Sequence, residues 1–271
     1  RQRHISSLQD GSLLVTRLDG RAQGVVHMEL NHPKANALGR DLVLRISDAL
    51  EDLSEDKTVR AVVVSSRVKG VFCAGADLKE RALMPPDEVE PFVSSLRTLM
   101  SRFSSLPAPT IAAVDGAAFG GGLELMLACD LRVAGEGATM GLTETSLGII
   151  PGAGGTQRLP RLIGVSSAKE LIFSATRVNA TRALALGLVN RMVEAGSATA
   201  EALLMAEEIS KQGPAAVRLA KQAIDRGVQQ GDLEAGMLVE GDHYRMVIKT
   251  RDREEGLRAF TEKRPPHFTG E

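Results

Sequence analysis

An excess of charge of one sign is the first thing this sequence lacks: 33 Lys and Arg stand against 34 Asp and Glu, a formal net charge of −1. No global field draws in a polyanion, so any phosphate or nucleic acid has to be met locally. An uninterrupted apolar span is missing too. The longest apolar stretch, residues 111–133, is broken by Asp115, Glu124, Asp130 and Arg132, which argues against a membrane span. Cysteine is scarce. Cys73 and Cys129 have neither the spacing of a metal site nor the number of a disulfide framework, and read as buried thiols in a reducing compartment.

Several reaction-specific motifs are absent as well. The glycine-rich run Gly152-Ala153-Gly154-Gly155-Thr156 is not followed by Gly-Lys-Ser/Thr, which excludes a nucleotide P-loop. There is no G-x-S-x-G elbow, and the five histidines (His4, His27, His32, His243, His267) contain no i,i+4 pair for zinc. Serine-hydrolase and zinc-protease readings fall with them, and no metal site is expected.

What remains is a chain of 271 residues that is 43% hydrophobic, enough for one extended domain or a domain with an appendage. Residues 13–15 and 25–30 read as a hairpin turning at Asp19-Gly20. A loop, residues 31–38, precedes a helix on which Leu42, Ile46, Ala49, Leu50 and Leu53 share one face. Residues 61–65 form a β-branched run without alternation, the pattern of a strand covered on both faces. Short strands are expected at residues 110–114, 131–134 and 139–140, and Ser167 with Glu170 has capping-box spacing for a helix to about residue 174. Strand, strand, helix thus recurs over residues 13–53, 61–105 and 110–128. After about residue 199 only helices are expected, with Asp252 and Glu255 as a plausible cap for the last. The division is a core over 1–198 and a helical region over 199–271. Arg1, Arg3, Ser6 and Ser7 fit either the end of an organellar transit segment or an ordinary frayed terminus.

The candidate chemistry lies in residues 116–158. Gly120-Gly121-Gly122 opens a helix, where unpaired N–H groups and the absence of Cβ favour developing negative charge. Glu124 follows within a nearly apolar helix, and Glu144 lies further on. A glutamate near a helix start is often only a cap or dipole partner, but a buried carboxylate needs a reason. The small residues at 74–76 make a second place where a ligand can reach the backbone.

Phe72-Cys73-Ala74-Gly75-Ala76-Asp77-Leu78-Lys79-Glu80, Gly120-Gly121-Gly122-Leu123-Glu124, Cys129-Asp130 and Gly148-Ile149-Ile150-Pro151-Gly152-Ala153-Gly154-Gly155-Thr156-Gln157-Arg158-Leu159 resemble the enoyl-CoA hydratase/isomerase (crotonase) family across nearly the whole chain. Within it, Met140-Gly141-Leu142-Thr143-Glu144-Thr145 and Lys263-Arg264-Pro265-Pro266 are most similar to the mitochondrial methylglutaconyl-CoA hydratases that also bind AU-rich RNA. The resemblance implies an α/β fold, a spiral of ββα units with a helical C-terminal trimerisation region, assembled as a trimer or a dimer of trimers. It implies an oxyanion hole from the N–H groups of Ala76 and Gly121, with Glu124 and Glu144 as the catalytic carboxylates. It implies acyl-CoA contacts at Lys34, Ala35, Ala74, Asp77, Leu78, Lys79, Phe260 and Lys263, and Asp77 and Lys79 also read as ordinary surface charges. Coenzyme A would be part of the substrate, with no separate cofactor, and the location would be the mitochondrial matrix.

The activity implied is hydration of an enoyl-CoA. The alternatives are isomerisation or decarboxylation on the same scaffold, and a non-catalytic acyl-CoA-binding protein. RNA binding in the related branch is attributed to a lysine-rich first helix. The matching face here reads Arg40, Leu44 and Asp48, with Glu51, Asp52 and Glu55 nearby, so clustered cations are missing and only a patch assembled across subunits would serve.

Overall fold

In a computed structural model of the chain, residues 3–4, 11–33 and 35–271 are described. The backbone of the first two forms a short strand, β1 (Arg3–His4). The rest of the amino-terminal segment proposed as a transit remnant, and Lys34, lie outside the described residues.

The chain winds through four turns of one pattern. The first is β2 (Leu13–Arg17), β3 (Val25–Leu30) and α1 (Arg40–Glu55). The second is β4 (Ala61–Ser66), β5 (Val71–Cys73), the short α2 (Leu78–Ala82) and α3 (Pro86–Ser105). The third is β6 (Thr110–Val114), β7 (Ala117–Phe119) and α4 (Gly121–Ala128), and the fourth β8 (Leu131–Gly135), β9 (Thr139–Gly141), a 3-10 turn over Glu144–Leu147, and α5 (Gly155–Ile163). Then follow α6 (Val165–Phe173), β10 (Val178–Asn179), α7 (Ala180–Ala185), β11 (Arg191–Val193), α8 (Ala198–Ser210), α9 (Pro214–Gly227), α10 (Leu233–Val247) and α11 (Arg251–Glu262).

Strands at equivalent places in successive turns line up side by side. One sheet runs β1-β2-β3-β4-β6-β8-β11, parallel from β3 onward, and the other runs β10-β9-β7-β5. Because successive side chains point to opposite faces, the first sheet feeds two cores. Val26, Met28, Val62, Val64, Ala112 and Val114 enter the main core with α1 and α3, while Val25, Ala61, Val63, Ile111, Ala113 and Val133 meet Ala198, Ala202, Met205 and Ala206 of α8 on the other side. This is why residues 61–65 read as unbroken apolar sequence. Both cysteines are buried, and burial pushes each thiol up to about 12.

After α8 the helices carry much less intramolecular cover. α9 and α10 pack on each other, and Ile224, Val228, Leu233, Met237, Leu238 and Tyr244 stay exposed. α9 is tied down by Lys221, whose Nζ bonds Asp130 Oδ2 at 2.7 Å, and by Arg218, which donates to Val59 O at 2.9 Å.

Two capping expectations are corrected. Helix α6 starts at Val165 behind Gly164, whose φ of 83° lies in the glycine-favoured region, and no side-chain cap forms, so Ser167 and Glu170 sit inside the helix. In α11 the cap is Thr250, which accepts from the N–H of Arg253. Asp252 and Glu255 instead hold the returning tail: Asp252 accepts from the N–H of Thr269 and Gly270, and Glu255 from His267 N–H and the Arg264 and Arg258 guanidinium groups.

Candidate active site

Strand β5 ends beside the start of α4, and the contact is too close for a side chain on either residue that crosses it. A methyl group on Gly122 would lie 2.0 Å from the carbonyl oxygen of Cys73, and one on Gly75 would lie 2.7 Å from Phe119 O and 3.2 Å from Gly121 N. Gly75 also has φ of 94°. The turn brings two backbone donors together, since a methyl group on Gly121 would sit 3.5 Å from Ala76 N. Ala76 pairs with Leu38 as an isolated bridge, in which Leu38 N bonds Gly75 O and Asp77 N bonds Leu38 O. That alternation leaves the intervening N–H of Ala76 pointing away. Gly121 is the first residue of α4 and has no helical partner for its N–H. Among the described residues neither N–H is bonded.

The loop of residues 31–38 braces this arrangement. Asn36, fully buried, takes His32 N–H on its Oδ1 and donates to Ser66 Oγ and Phe72 O, while Ala74 N bonds Ala35 O at 3.1 Å. Arg177 lies 4.4 Å over the Phe119 ring and steadies the end of β7.

Both glutamates face the same cavity, of about 700 Å³, which is also lined by Ala74, Gly75, Ala76, Leu78, Gly120 and Gly121. Glu124 is 3% exposed, and its Oε1 accepts from the N–H groups of Ala153 and Gly155, both at 2.8 Å. Burial pushes its carboxyl above the ordinary range, opposed by those two N–H groups and by the charges of Arg158 and Arg97. These arginines also brace the loop that carries the donors, Arg158 through Ala153 O and Ser104 Oγ, and Arg97 through Gly152 O. Glu144 opens the 3-10 turn of the fourth unit, which Thr145 fastens to Ile172 O at 2.6 Å. A methyl group on Gly120 would lie 3.2 Å from Glu144 Oε1, and Oε2 is shielded without a hydrogen bond. Burial, then the charge of Glu124, raise the Glu144 carboxyl to about 7, while Arg81 pulls it down.

The two carboxylates therefore differ in kind. Glu124 accepts two backbone N–H groups, whereas Glu144 keeps an oxygen with no donor; burial raises both carboxyls, Glu144 to about 7. The unbonded N–H groups of Ala76 and Gly121 stand on the same cavity.

The other residues expected to bind substrate divide. Ala74 and Leu78 line the cavity, and Ala35 stands behind it, bonded to Ala74. The Asp77 carboxylate caps α2 through the N–H groups of Lys79 and Glu80, leaving Lys79 exposed at the surface. Phe260 on α11 and Lys263, which caps its end, are exposed and do not line the cavity of their own chain. On α1 the arginines are neutralised: Arg40 pairs with Glu80 and Glu88, and Arg45 with Asp41. Sequence reasoning missed Arg81 and Arg97, since nothing in their local pattern shows that α2 and α3 overhang the cavity. Among the described residues there is no cluster of three or more His, Cys, Asp or Glu able to hold a metal, and no helix long and apolar enough to cross a membrane.

Stacked ββα turns that set a cavity between two adjacent strand ends define the crotonase class of fold. The chain belongs to the enoyl-CoA hydratase/isomerase family, whose sequence model matches residues 20–271. It is 55% identical over 95% of its length to the mitochondrial enoyl-CoA hydratase domain-containing protein 2 of Bos taurus, covering 88% of that protein. It is 50% identical over 97% of its length to the mitochondrial methylglutaconyl-CoA hydratase of Mus musculus, covering 85% of it. The crystal structure of an enoyl-CoA hydratase from Bacillus anthracis superposes with a TM-score of 0.92 at 48% identity, covering 96% of this chain and all of that one.

Proposed function

We propose that the protein hydrates 2-enoyl-CoA thioesters. The observation that carries this reading is the pair of unlike glutamates facing one cavity beside two unbonded backbone donors. The thioester carbonyl sits between Ala76 N–H and Gly121 N–H. Glu124, ionised, takes a proton from water as its oxygen bonds to C3, and electron density moves onto the carbonyl oxygen. Glu144, protonated, delivers its proton to C2 as the enolate collapses, giving the 3-hydroxyacyl thioester. Returning the proton from Glu124 to Glu144 completes the cycle. The steps are one carbon–oxygen bond formation at C3 and proton transfers between protein groups, water and substrate, so coenzyme A enters only as part of the substrate. An isomerase needs one base to carry a proton between C2 and C4, and retention of both carboxylates supports hydration over it.

Loss of the conjugated-thioester absorbance of crotonyl-CoA tests this reading. Steady hydration by the wild-type protein is expected. Absence of turnover with short, branched and longer 2-enoyl-CoAs, or turnover only of 3-enoyl-CoAs, would overturn it. Because Glu144 must be protonated and titrates at about 7, kcat/KM is expected to fall as pH rises through that value. A profile flat from pH 6 to 9 would remove Glu144 as the acid.

The CoA moiety is assigned to Lys34, Ala35, Ala74, Leu78 and Lys79, with Phe260 and Lys263 reached only in an assembly. The exposed apolar side chains of α9 and α10 support a homotrimer or a dimer of trimers, built through the helical region; the relatives' names support a mitochondrial location, within which the matrix is our assignment. Sedimentation velocity is expected to show a single trimeric or hexameric species. A monomer at micromolar concentration would sink the assembly. The neutralised face of α1 gives no support to RNA binding by that route.

A further inference from the structure

Glu124 is anchored by one oxygen only. The N–H groups of Ala153 and Gly155 both reach Oε1, and among the described residues Oε2 receives no donor. The oxygen left to take a proton from water is therefore set by the turn of residues 153–155. Helical bonding in α5 begins at Gly154 O, which accepts from the N–H groups of Gln157 and Arg158, so Ala153 O is left to a side chain.

That side chain is Arg158. Its Nη1 donates to Ala153 O at 3.1 Å and its Nη2 to Ser104 Oγ at 3.2 Å, near the end of α3. Ser104 Oγ lies in turn 3.1 Å from Met100 O and 3.2 Å from Ala128 O, the last residue of the helix that carries Glu124. Ala153 is thus held from both sides, its N–H by the carboxylate and its C=O by the guanidinium. The guanidinium lies so close on the turn that a methyl group on Gly154, where φ is 114°, would collide with Nη1. Arg158 does not line the cavity, and both of its bonds go to uncharged oxygens. Arg97 differs in this, since it lines the cavity as well as bonding Gly152 O. Burial raises the Glu124 carboxyl, the charges of Arg158 on α5 and Arg97 on α3 favour its ionised form, and the Glu124 charge bears in turn on Glu144.

We infer that Arg158 is a positioning residue for the base: by holding Ala153 O it keeps the turn of residues 153–155 closed on Glu124 Oε1, and so leaves Oε2 as the oxygen that meets water. The inference rests on the hydratase reading for the reaction that Glu124 serves. The state of Glu124 itself can be followed without turnover.

The test measures crotonyl-CoA hydration by the full chain and by its Arg158→Leu, Arg158→Lys and Ser104→Ala variants, together with the Kd of butyryl-CoA, a saturated thioester. Arg158→Leu is expected to lower kcat roughly tenfold to a hundredfold, the effect of a base misplaced by a fraction of an ångström to an ångström, while the Kd of butyryl-CoA stays within about threefold. The acidic limb of kcat/KM, where Glu124 takes up a proton, should move to higher pH. Arg158→Lys keeps the charge but cannot fork to both oxygens, and is expected to hold the acidic limb near its wild-type place while recovering only part of kcat. On a Glu124→Gln background, Arg158→Leu should cost little further, because the group it positions is already gone. The inference is overturned by a kcat within about threefold of wild type, by an acidic limb that does not move, or by a loss as large on the Glu124→Gln background as without it. Weakened butyryl-CoA binding that matches the loss of kcat assigns Arg158 a general structural role and overturns it too. Where Arg158→Leu does not fold, Arg158→Lys and Ser104→Ala carry the comparison, Ser104→Ala with a smaller loss of kcat in the same direction. Carbon-13 NMR of the glutamate side chains, with Glu124→Gln to assign the resonance, follows the Glu124 titration directly and should show it moved upward in Arg158→Leu. Absence of wild-type hydration would remove the hydratase reading, and the resonance would still decide whether Arg158 governs Glu124.

Discussion

Replacing Glu144 by glutamine is expected to lower hydration of crotonyl-CoA by roughly 10²- to 10⁴-fold, the usual contribution of a positioned general acid. The amide keeps the shape of the side chain but has no proton to deliver to C2. Glu124→Gln should fall in the same range for a different reason. Its carbonyl can still accept from Ala153 and Gly155, but no ionised oxygen remains to take the proton of water. The double variant should lose little more than the worse single variant, because the two groups act in one step. Activity within about threefold of wild type in either single variant would exclude that residue from the chemistry. Stability measurements separate this outcome from misfolding. The Glu144 carboxyl titrates higher in the folded chain than when exposed, so the folded state binds more protons than the unfolded one and ionisation of this group costs stability as pH rises toward 7 and above. Glu144→Gln should therefore melt higher than wild type at pH 8, with a smaller difference at pH 5.

The second large effect is expected at a residue with no chemistry of its own. Gly122→Ala places a methyl group 2.0 Å from the Cys73 carbonyl oxygen and 2.7 Å from its carbon, both backbone atoms that cannot swing aside. Helix α4 is buried along its whole length, so it has no free side toward which to move. Overpacking of this kind costs about 1 to 3 kcal/mol and occasionally more; a backbone collision belongs at the upper end, and a drop in melting temperature of several degrees is expected. Any α4 that does form must stand off from β5, which separates Gly121 N–H from Ala76 N–H. Losing one such donor typically costs about 2.7 to 4 kcal/mol of transition-state stabilisation. Activity should fall by two orders of magnitude or more even where the variant folds. Gly137→Ala, where the added methyl meets only the Ala195 side chain at 3.9 Å, is the control and should stay within about 0.5 kcal/mol of wild type. Equal behaviour of the two variants would show that the close approach of β5 and α4 is not what holds the donors.

Much of this arrangement can be read from the chain itself. The ββα units follow from apolar runs too short for helices and too continuous for half-exposed strands, and Glu124 draws notice by standing in a helix otherwise apolar. What cannot be read is which distant groups claim a polar side chain. Asp252 and Glu255 have the spacing of a helix cap, but the N–H groups of the returning tail and Arg264 offer them more bonds than the first turn of α11 can. Asp77 looks like a ligand contact in its motif, and in the fold its Oδ1 also accepts the N–H groups of Lys79 and Glu80 at the start of α2. The cradle of Glu124 is equally hidden, because backbone N–H groups at residues 153 and 155 leave no trace in side-chain identity.

The parallel pairing of β5 with β7 has a consequence for how this scaffold can change. The two donors stand on neighbouring turns of the spiral, so their separation is inherited from the spacing between strands and is not adjustable one residue at a time. The pair of N–H donors is in that sense invariant, while the carboxylates hang from α4 and from a surface turn and can be exchanged without rebuilding it. New reactivity should be reachable by substitution at Glu124, Glu144 and the loop of residues 147–157. Selection that tolerates changes there should still reject them at Gly75 and Gly122, whatever reaction is being selected.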